Sequence, residues 1–289
     1  YVRAVSLDLR GHLPTTDELN TLDTVSSDAD IPDELLEQWL NGDEIIEQIV
    51  RHHRKLLWPN ISNVSLFNGG TSLGGNILWL RQRSGTYRPG VVNRVTCYDE
   101  PATYDEDGKL VTRPDENGTE REGWVEVHPY WAPDDTVKVC GFEAQTNRYA
   151  ANGADCATAS GRSQKDCGCG PNLRWCGGGI VGRSILEGLG RAIELSIEHV
   201  LRQNESYLEL FETRTSFVNG PIVHFIRHLS GVTNVKMLPS PYVVEDLPDI
   251  PFNDYDWYEI ELPRSHAGVL THPAFLLRFQ TNRARASRF

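Results

Sequence analysis

The sequence lacks the long apolar runs and the excess of basic residues that mark several common classes of protein. Its longest uncharged stretch, residues 61–80, is interrupted repeatedly by Asn, Gly and Ser, which excludes a transmembrane helix there. Only 28 Lys and Arg stand against 40 Asp and Glu, which gives a formal net charge of −12. Such a surface repels the phosphates of nucleic acids and of anionic lipids. We therefore expect no membrane span and no nucleic-acid partner.

The sequence also lacks the short motifs of common catalytic and cofactor sites. It contains no Cys-x-x-Cys-His, so we expect no haem attached covalently within this chain. A nucleophile elbow, a phosphate-binding glycine loop and a dinucleotide-binding fingerprint are missing too. No catalytic residue is predicted, and enzymatic activity is left open. The apolar-alternating start at Tyr1, without an initiator Met, predicts a processed or truncated piece.

What the 289 residues do contain is a strong helical pattern towards both ends. Residues 43–58 place acids first, bases last and apolar residues at helical spacing between them. Residues 182–212 carry a wide apolar stripe, the strongest helix signal in the chain. We predict a mainly α fold with an inserted β-rich acidic hairpin region and a disulfide-rich loop. The helical region 1–95 is followed by the insertion, 96–180, and then by the helical region 181–289, which packs with the first as one domain.

The predicted insertion is unusually acidic. Twelve acids and three bases lie between Asp99 and Asp135, where alternating segments are joined by the turn-forming sequences DEDG and DENG. Asp105, Asp107 and Gly108 resemble part of a calcium-binding loop, although the distal bidentate Glu of an EF-hand is missing. Calcium binding at Asp105 and Asp107 therefore stays open beside a plain hairpin turn.

Six cysteines offer a choice between metal binding and disulfides. Cys167 and Cys169 are separated by one residue, which is too tight for the paired knuckles that hold zinc. We therefore favour disulfides, which indicate export to the periplasm, the outer-membrane surface or the extracellular space. Cys97 and Cys140 bracket the acidic region, so a disulfide between them would close its neck. The disulfide candidates are Cys97, Cys140, Cys156, Cys167, Cys169 and Cys176.

His224 and His228 are the candidate cofactor ligands. They lie four residues apart on a helix that we predict over residues 216–229, beginning near Pro221. That spacing puts both imidazoles on one helix face, which suits a metal ion or a haem iron. The segment HFIRH lacks the Glu of a zincin motif, so it brings no general base. The alternative is a hydrogen-bonded pair on a partly buried helix face.

Three stretches resemble known domain families. Residues 1–19, YVRAVSLDLRGHLPTTDEL, resemble the opening of a planctomycete cytochrome-associated domain of unknown function. Residues 216–232, SFVNGPIVHFIRHLSGV, and residues 264–289, RSHAGVLTHPAFLLRFQTNRARASRF, resemble a companion domain. That companion occurs in the same multidomain proteins of planctomycetes and myxobacteria. The order of the three stretches agrees with the family pattern.

The resemblance implies an exported protein that works in a larger assembly. Proteins of these families often carry c-type haem domains beside such regions. We therefore expect a scaffold or interaction subunit of a cytochrome-associated, electron-transfer assembly in the cell envelope or outside the cell. Its partners would be other protein chains, c-type cytochromes among them, and any haem would sit in flanking segments or partners.

Two other functions stay open. A hydrolase or oxidoreductase, acting for example on polysaccharide, would build its site from dispersed His and carboxylate residues, with His224 and His228 as candidates. A calcium-dependent adhesive module would instead use the acidic hairpin around Asp105 and Asp107.

Overall fold

The computed structural model describes residues 1–23, 31–57, 60–62, 64–74, 78–81, 96–164, 166–235, 240–266 and 268–286. The structure is 40% helical and 13% strand, with the strands in small sheets. The prediction of a mainly α fold is therefore wrong, and the chain has mixed α and β structure. The additional strands come from segments whose local pattern indicated helix or irregular structure.

The helices concentrate towards the two ends of the chain, and α5 is the longest with 24 residues. Trp58, the last residue of the helix predicted over residues 43–58, lies outside the described residues. A π-helical turn, Phe225–Leu229, directly follows α7. The helices are α1 (Val2–Arg10), α2 (Thr16–Asp23), α3 (Asp33–Leu40), α4 (Asp43–Leu57), α5 (Gly179–Arg202), α6 (Glu209–Glu212), α7 (Gly220–His224), α8 (Gly268–Thr271), α9 (Pro273–Arg278) and α10 (Asn282–Ala286).

In the part of the chain that the structure describes, the strands are short and form three separate sheets. A four-stranded sheet has the order β1-β2-β6-β5, in which β2 and β6 are parallel and the other pairs antiparallel. Antiparallel pairs β3-β4 and β7-β8 form the other two sheets. The strands are β1 (Leu73–Gly74), β2 (Leu78–Arg81), β3 (Arg113–Pro114), β4 (Glu120–Arg121), β5 (Trp124–Val127), β6 (Val137–Cys140), β7 (Thr215–Val218) and β8 (Tyr258–Glu261).

The segment predicted as one helix over residues 216–229 begins as a strand. Thr215–Val218 pairs with Tyr258–Glu261, and the helix begins only at Gly220. The Asn219 side chain caps that helix by accepting a backbone N–H of its first turn, where Pro221 also lies. Thr, Phe and Val favour a strand once a partner is present. That partner lies some forty residues further along, so local periodicity does not reveal it.

Helix α5 forms the centre of the main core. Strand β7 and helices α4, α7 and α9 pack against it. Full burial of one Ile, Leu or Val side chain, such as those on the buried face of α5, stabilises a fold by about 1.5–3 kcal/mol. The other face of the helix, around Gly182 and Leu186, borders an open groove. The apolar stripe predicted for this helix is buried as expected at Ile185, Leu189, Ile193, Ile197 and Val200.

All six cysteines are buried and paired in disulfides. This confirms the disulfide prediction, including the bond that closes the neck of the acidic region, and it fits an exported protein. The Cα atoms of the pairs are 5.5, 5.2 and 5.2 Å apart in chain order, within the usual range. The pairs are Cys97–Cys140, Cys156–Cys167 and Cys169–Cys176.

Within the described residues, none of the helices combines the length and the apolar character needed to cross a membrane.

Candidate functional site

The structure brings His224 and His228 together. His224 ends α7 and His228 lies in the π-helical turn that follows, with their ring centroids 4.9 Å apart in an edge-to-face arrangement. Single π-helical turns occur often at functional sites. His224 is buried and His228 is half-buried. The spacing therefore predicted the contact between the two imidazoles, although the helix is not a regular α-helix at this point.

His224 is fixed by an aromatic ring and by a backbone carbonyl. Its ring stacks on Tyr130 with a centroid distance of 3.8 Å and an interplanar angle of 12°. Its Nε2 lies 3.2 Å from the carbonyl oxygen of Arg174. Because a carbonyl only accepts, Nε2 carries the proton and Nδ1 keeps its lone pair. Phe252 meets the same ring edge-on, so the imidazole has one orientation.

The loop that supplies the Arg174 carbonyl is closed by the Cys169–Cys176 disulfide. Tyr130 donates its N–H to the Asn172 carbonyl at 3.0 Å and its O–H to the Cys176 carbonyl at 3.0 Å. Inside the loop, Asn172 and Leu173 have φ values of 51° and 61°, in the left-handed region. Such backbone costs on the order of 1–3 kcal/mol per residue and persists where its surroundings impose it. Here the disulfide and the two Tyr130 hydrogen bonds restrain the loop.

Both imidazoles are held in their neutral form. Burial, followed by the nearby His228, lowers the pKa of His224 to about 3. Burial, followed by the positive charges of Arg174 and Arg227, lowers the pKa of His228 to about 4. Neutral imidazoles can act as ligands, but with such pKa values they are weak bases near pH 7. In the described part of the chain, neither ring forms a hydrogen bond to a carboxylate.

The candidate calcium residues lie in a tight hairpin turn. Asp105 Oδ1 accepts the amides of Asp107 and Lys109 at 3.1 and 2.7 Å, and Gly108 has a φ of 74°. The Asp107 carboxylate lies 3.6 Å from the Lys109 ammonium. One Asp105 carboxylate oxygen thus serves the turn itself. Within the described ranges, no group of three or more His, Cys, Asp or Glu side chains is placed to hold a metal ion.

A groove that the sequence did not predict runs along the exposed face of α5, with a volume of about 1090 Å³. Helix α5 forms its floor with Gly179, Gly182, Leu186 and Gly190, spaced three or four residues apart on one helix face. That spacing of glycines around one leucine was the available signal in the sequence. The other apolar lining residues come from the loop before β1: Ile61, Val64, Leu66 and Phe67.

The rim of the groove is charged and mainly basic. The buried Glu194 carboxylate accepts from Arg54 Nε and Nη2 at 2.6 and 2.7 Å and from Arg191 Nη1 at 3.0 Å. Two guanidinium groups therefore share the Glu194 carboxylate, and Arg191 Nη2 also pairs with Glu198 at 2.9 Å. The charged lining residues are Arg54, Lys55, Arg183, Glu187, Arg191 and Glu194, and the polar ones are Asn60, Ser62, Ser65 and Ser72.

No family model matches the chain, and neither a curated protein nor a solved structure is significantly similar to it.

Proposed function

We propose that this chain is an interaction module of a larger exported protein assembly, and that the groove along α5 receives a segment of a partner protein. The groove is the observation that carries this proposal. It is open to solvent, its floor is apolar and its rim is polar, the combination found in binding sites. Its floor belongs to the central helix of the core, so the surface is rigid.

The resemblance to cytochrome-associated domains supplies the setting that we propose for this module. The three disulfides fit export, which such a setting requires. In this proposal the chain is a scaffold or interaction subunit, and the partners include c-type cytochromes. Any haem belongs to partners or flanking segments, because the sequence contains no covalent attachment motif.

The two other functions have less support. A hydrolase or oxidoreductase would need its dispersed groups in one cleft, whereas His224 is held by Tyr130 and the Arg174 carbonyl, and His228 packs against His224. A calcium-dependent module would need carboxylates free to bind the ion, and Asp105 already accepts two backbone amides. The interaction function therefore remains the better proposal.

Site-specific photo-crosslinking in cells that contain the native assembly tests the proposal. A photoreactive residue at position 187, on the groove rim, should give a discrete adduct with a partner chain. The same residue at the exposed position 149, outside the groove lining, is the matched control and should not. Gly179→Leu should abolish the adduct: Gly179 lines the groove and a Cβ there meets nothing within 4 Å, so the leucine side chain can occupy the groove without disturbing its neighbours.

The outcomes separate the two parts of the proposal. Equal adducts from positions 187 and 149, or an adduct unaffected by Gly179→Leu, would show that the groove is not the binding surface. If the adduct forms but the purified assembly shows no haem absorbance, the proposed partnership with cytochromes is wrong and the proposal about the groove still stands.

A further inference from the structure

We infer that Asn117 is a site of N-linked glycosylation, which accepts a glycan from a donor that carries it on a lipid diphosphate. Asn117, Gly118 and Thr119 form the acceptor sequence Asn-x-Thr, and the middle residue is not proline. The three disulfides fit the export that brings a chain to such a donor, so the site does not depend on the groove function. The sequence contains four acceptor sequences, at Asn60, Asn63, Asn117 and Asn204.

Asn117 lies at the tip of the hairpin formed by β3 and β4. The Asp115 carboxylate holds the turn, because its Oδ1 accepts the amides of Asn117 and Thr119 at 2.8 Å each, and Gly118 has a φ of 73°. Within the described residues, the exposed Asn117 carboxamide forms no hydrogen bond. A Cβ at Gly118 would meet nothing within 4 Å. The acceptor nitrogen Nδ2 is therefore open to solvent, with space around it for a bulky glycan.

The tip of this hairpin can open without disturbing the rest of the fold. Its strands contain two residues each, and both residues of β3 are exposed. Hairpin tips with so little buried structure open at a small cost in free energy. The Cys97–Cys140 disulfide closes the neck below the hairpin, which keeps the flanking sheet in place. A transferase can therefore bind the acceptor sequence in an extended form after the chain has folded.

The acceptor sequence at Asn204 is exposed as well, but it belongs to the end of α5. The Asn204 amide donates to the Leu201 carbonyl at 3.1 Å, and Asn204 has a φ of 51°, so this residue caps the helix in the left-handed conformation. The hydroxyl of its Ser206 accepts the Leu208 amide at 3.3 Å. Binding this segment in an extended form would remove the cap of the central helix, which disfavours transfer there.

The two remaining acceptor sequences lie in the loop before β1. Asn60 and Ser62 line the groove, and a glycan on Asn60 would occupy the surface that the proposed function needs free. Asn63 lies outside the described residues. Asn117 therefore combines exposure, open space and a tip that can be opened, and among the described acceptors it is the best suited to carry a glycan.

The transfer is a substitution at the anomeric carbon of the donor. Asn117 Nδ2 forms a bond to C1 of the first sugar, while the bond between C1 and the diphosphate oxygen breaks. The lipid diphosphate leaves with the electron pair of that bond, and the amide gives one proton to a base of the transferase. No oxidant or reductant takes part. The hydroxyl of Thr119 is the second group that the acceptor sequence requires.

Peptide mass spectrometry of the full chain, purified from cells that contain the native assembly, tests the site. Trypsin releases residues 110–121 and 203–214 as separate peptides, and each contains one acceptor asparagine. The first peptide should carry a glycan and the second should not. Asn117→Gln and Thr119→Ala should both lose the glycan, whereas Thr119→Ser should retain it. Asn204→Gln is the matched control and should also retain it.

Three results would overturn the inference. A peptide 110–121 without a glycan in the native chain would exclude the site, and a glycan on residues 203–214 alone would move it to the end of α5. A change of asparagine to aspartate at position 117 that persists in Thr119→Ala would be hydrolysis at the Asn117–Gly118 pair, not glycan transfer. A glycan on residues 110–121 without any crosslink from position 187 would support this site and count against the groove alone.

Discussion

Glu18 joins three elements at the N-terminal end of the chain. Its carboxylate accepts from Arg10 Nη1 and Nη2 at 2.8 and 2.9 Å and from Trp39 Nε1 at 2.8 Å. It also accepts the Thr15 amide at 2.7 Å, while Thr15 Oγ1 accepts the Glu18 amide at 3.3 Å, which forms a reciprocal cap of α2. The hydrogen bonds from Arg10, aided by those from Thr15 and Trp39, lower the pKa of Glu18 to about 2.

We expect Glu18→Gln to destabilise the fold by about 2 kcal/mol at pH 7, because hydrogen bonds to a charged group are lost beside a buried arginine. Urea unfolding measures this change, and Asp17→Asn, at the exposed neighbouring position, is the control. The pKa of Glu18 is lowered on folding, so its contribution is complete above its ordinary pKa of 4.5 and is lost as the pH falls towards 2. A Glu18→Gln effect that is unchanged at pH 3 would contradict this account.

The neutral form of His224 leads to a second prediction about how the stability of the fold depends on pH. A folded pKa of about 3 against an ordinary 6.5 means that the folded chain resists protonation of His224. Its contribution to stability is present above pH 6.5 and is lost as the pH falls towards 3, at up to about 1.4 kcal/mol per pH unit. His224→Phe keeps a ring against Tyr130 but has no proton to gain.

His224→Phe should therefore be less stable than the parent by about 1 kcal/mol at pH 7, because the hydrogen bond to the Arg174 carbonyl is lost. The difference should shrink and then reverse as the pH falls from 6.5 to 4.5. Urea unfolding at several pH values gives the comparison, and His12→Phe at an exposed position is the control. If the unfolding free energies of the parent and of His224→Phe change in parallel below pH 6.5, the fold does not hold the His224 imidazole neutral.

Sequence spacing predicted part of this histidine site and missed the rest for a physical reason. Residues four apart on a helix share a face, so the contact between His224 and His228 followed from local geometry. Tyr130 and Arg174 contact the same imidazole from distant positions in the chain. Such contacts depend on tertiary packing, which no local pattern encodes.

Among the structural elements, the loop closed by the Cys169–Cys176 disulfide restrains Tyr130 and His224, so the effect of opening it can be predicted. Removing a cross-link that closes a loop of about eight residues costs about 2.5 kcal/mol in the chain-entropy account. We expect Cys169→Ala with Cys176→Ala to lose at least this much in urea unfolding. The positive φ values of Asn172 and Leu173 should then relax, and the pKa of His224 should rise towards its ordinary value.

NMR titration of the imidazole protons measures that change in pKa. The variant Cys156→Ala with Cys167→Ala removes a disulfide of comparable span, eleven residues apart, and is the control. Its effect on unfolding should be similar, while the pKa of His224 should stay low. Equal changes in the pKa of His224 in the two double variants would mean that the loop does not position the imidazole.

Helices were predicted better than strands because their signals are local. The stripe on α5 identified its buried residues from one segment alone, whereas β7 and β8 each contain only four residues and pair across the chain. The groove was missed because its walls come from two separate segments, the loop before β1 and the face of α5. Its glycine floor was visible in the sequence, but a missing side chain indicates a cavity only when the opposite wall is known.

At the scale of the whole molecule, the covalent framework gives a direct prediction. Peptide mapping of the unreduced chain should recover three disulfides that link Cys97 to Cys140, Cys156 to Cys167 and Cys169 to Cys176. A reducing agent should lower the thermal midpoint, because each bond contributes on the order of 2–4 kcal/mol. Recovery of other pairings, or of free thiols, would contradict this arrangement and the compartment that it implies.

The acidic arm between Ala102 and Glu122 leaves the sheet and returns to it at neighbouring points. Ala102 donates its amide to the Trp124 carbonyl at 2.7 Å, and Trp124 donates to the Glu100 carbonyl at 2.8 Å. Because the entry and exit of the arm are joined in this way, its length can change without moving the strands that carry it. The arm is therefore a natural insertion point, where a reporter domain or an affinity tag can be grafted.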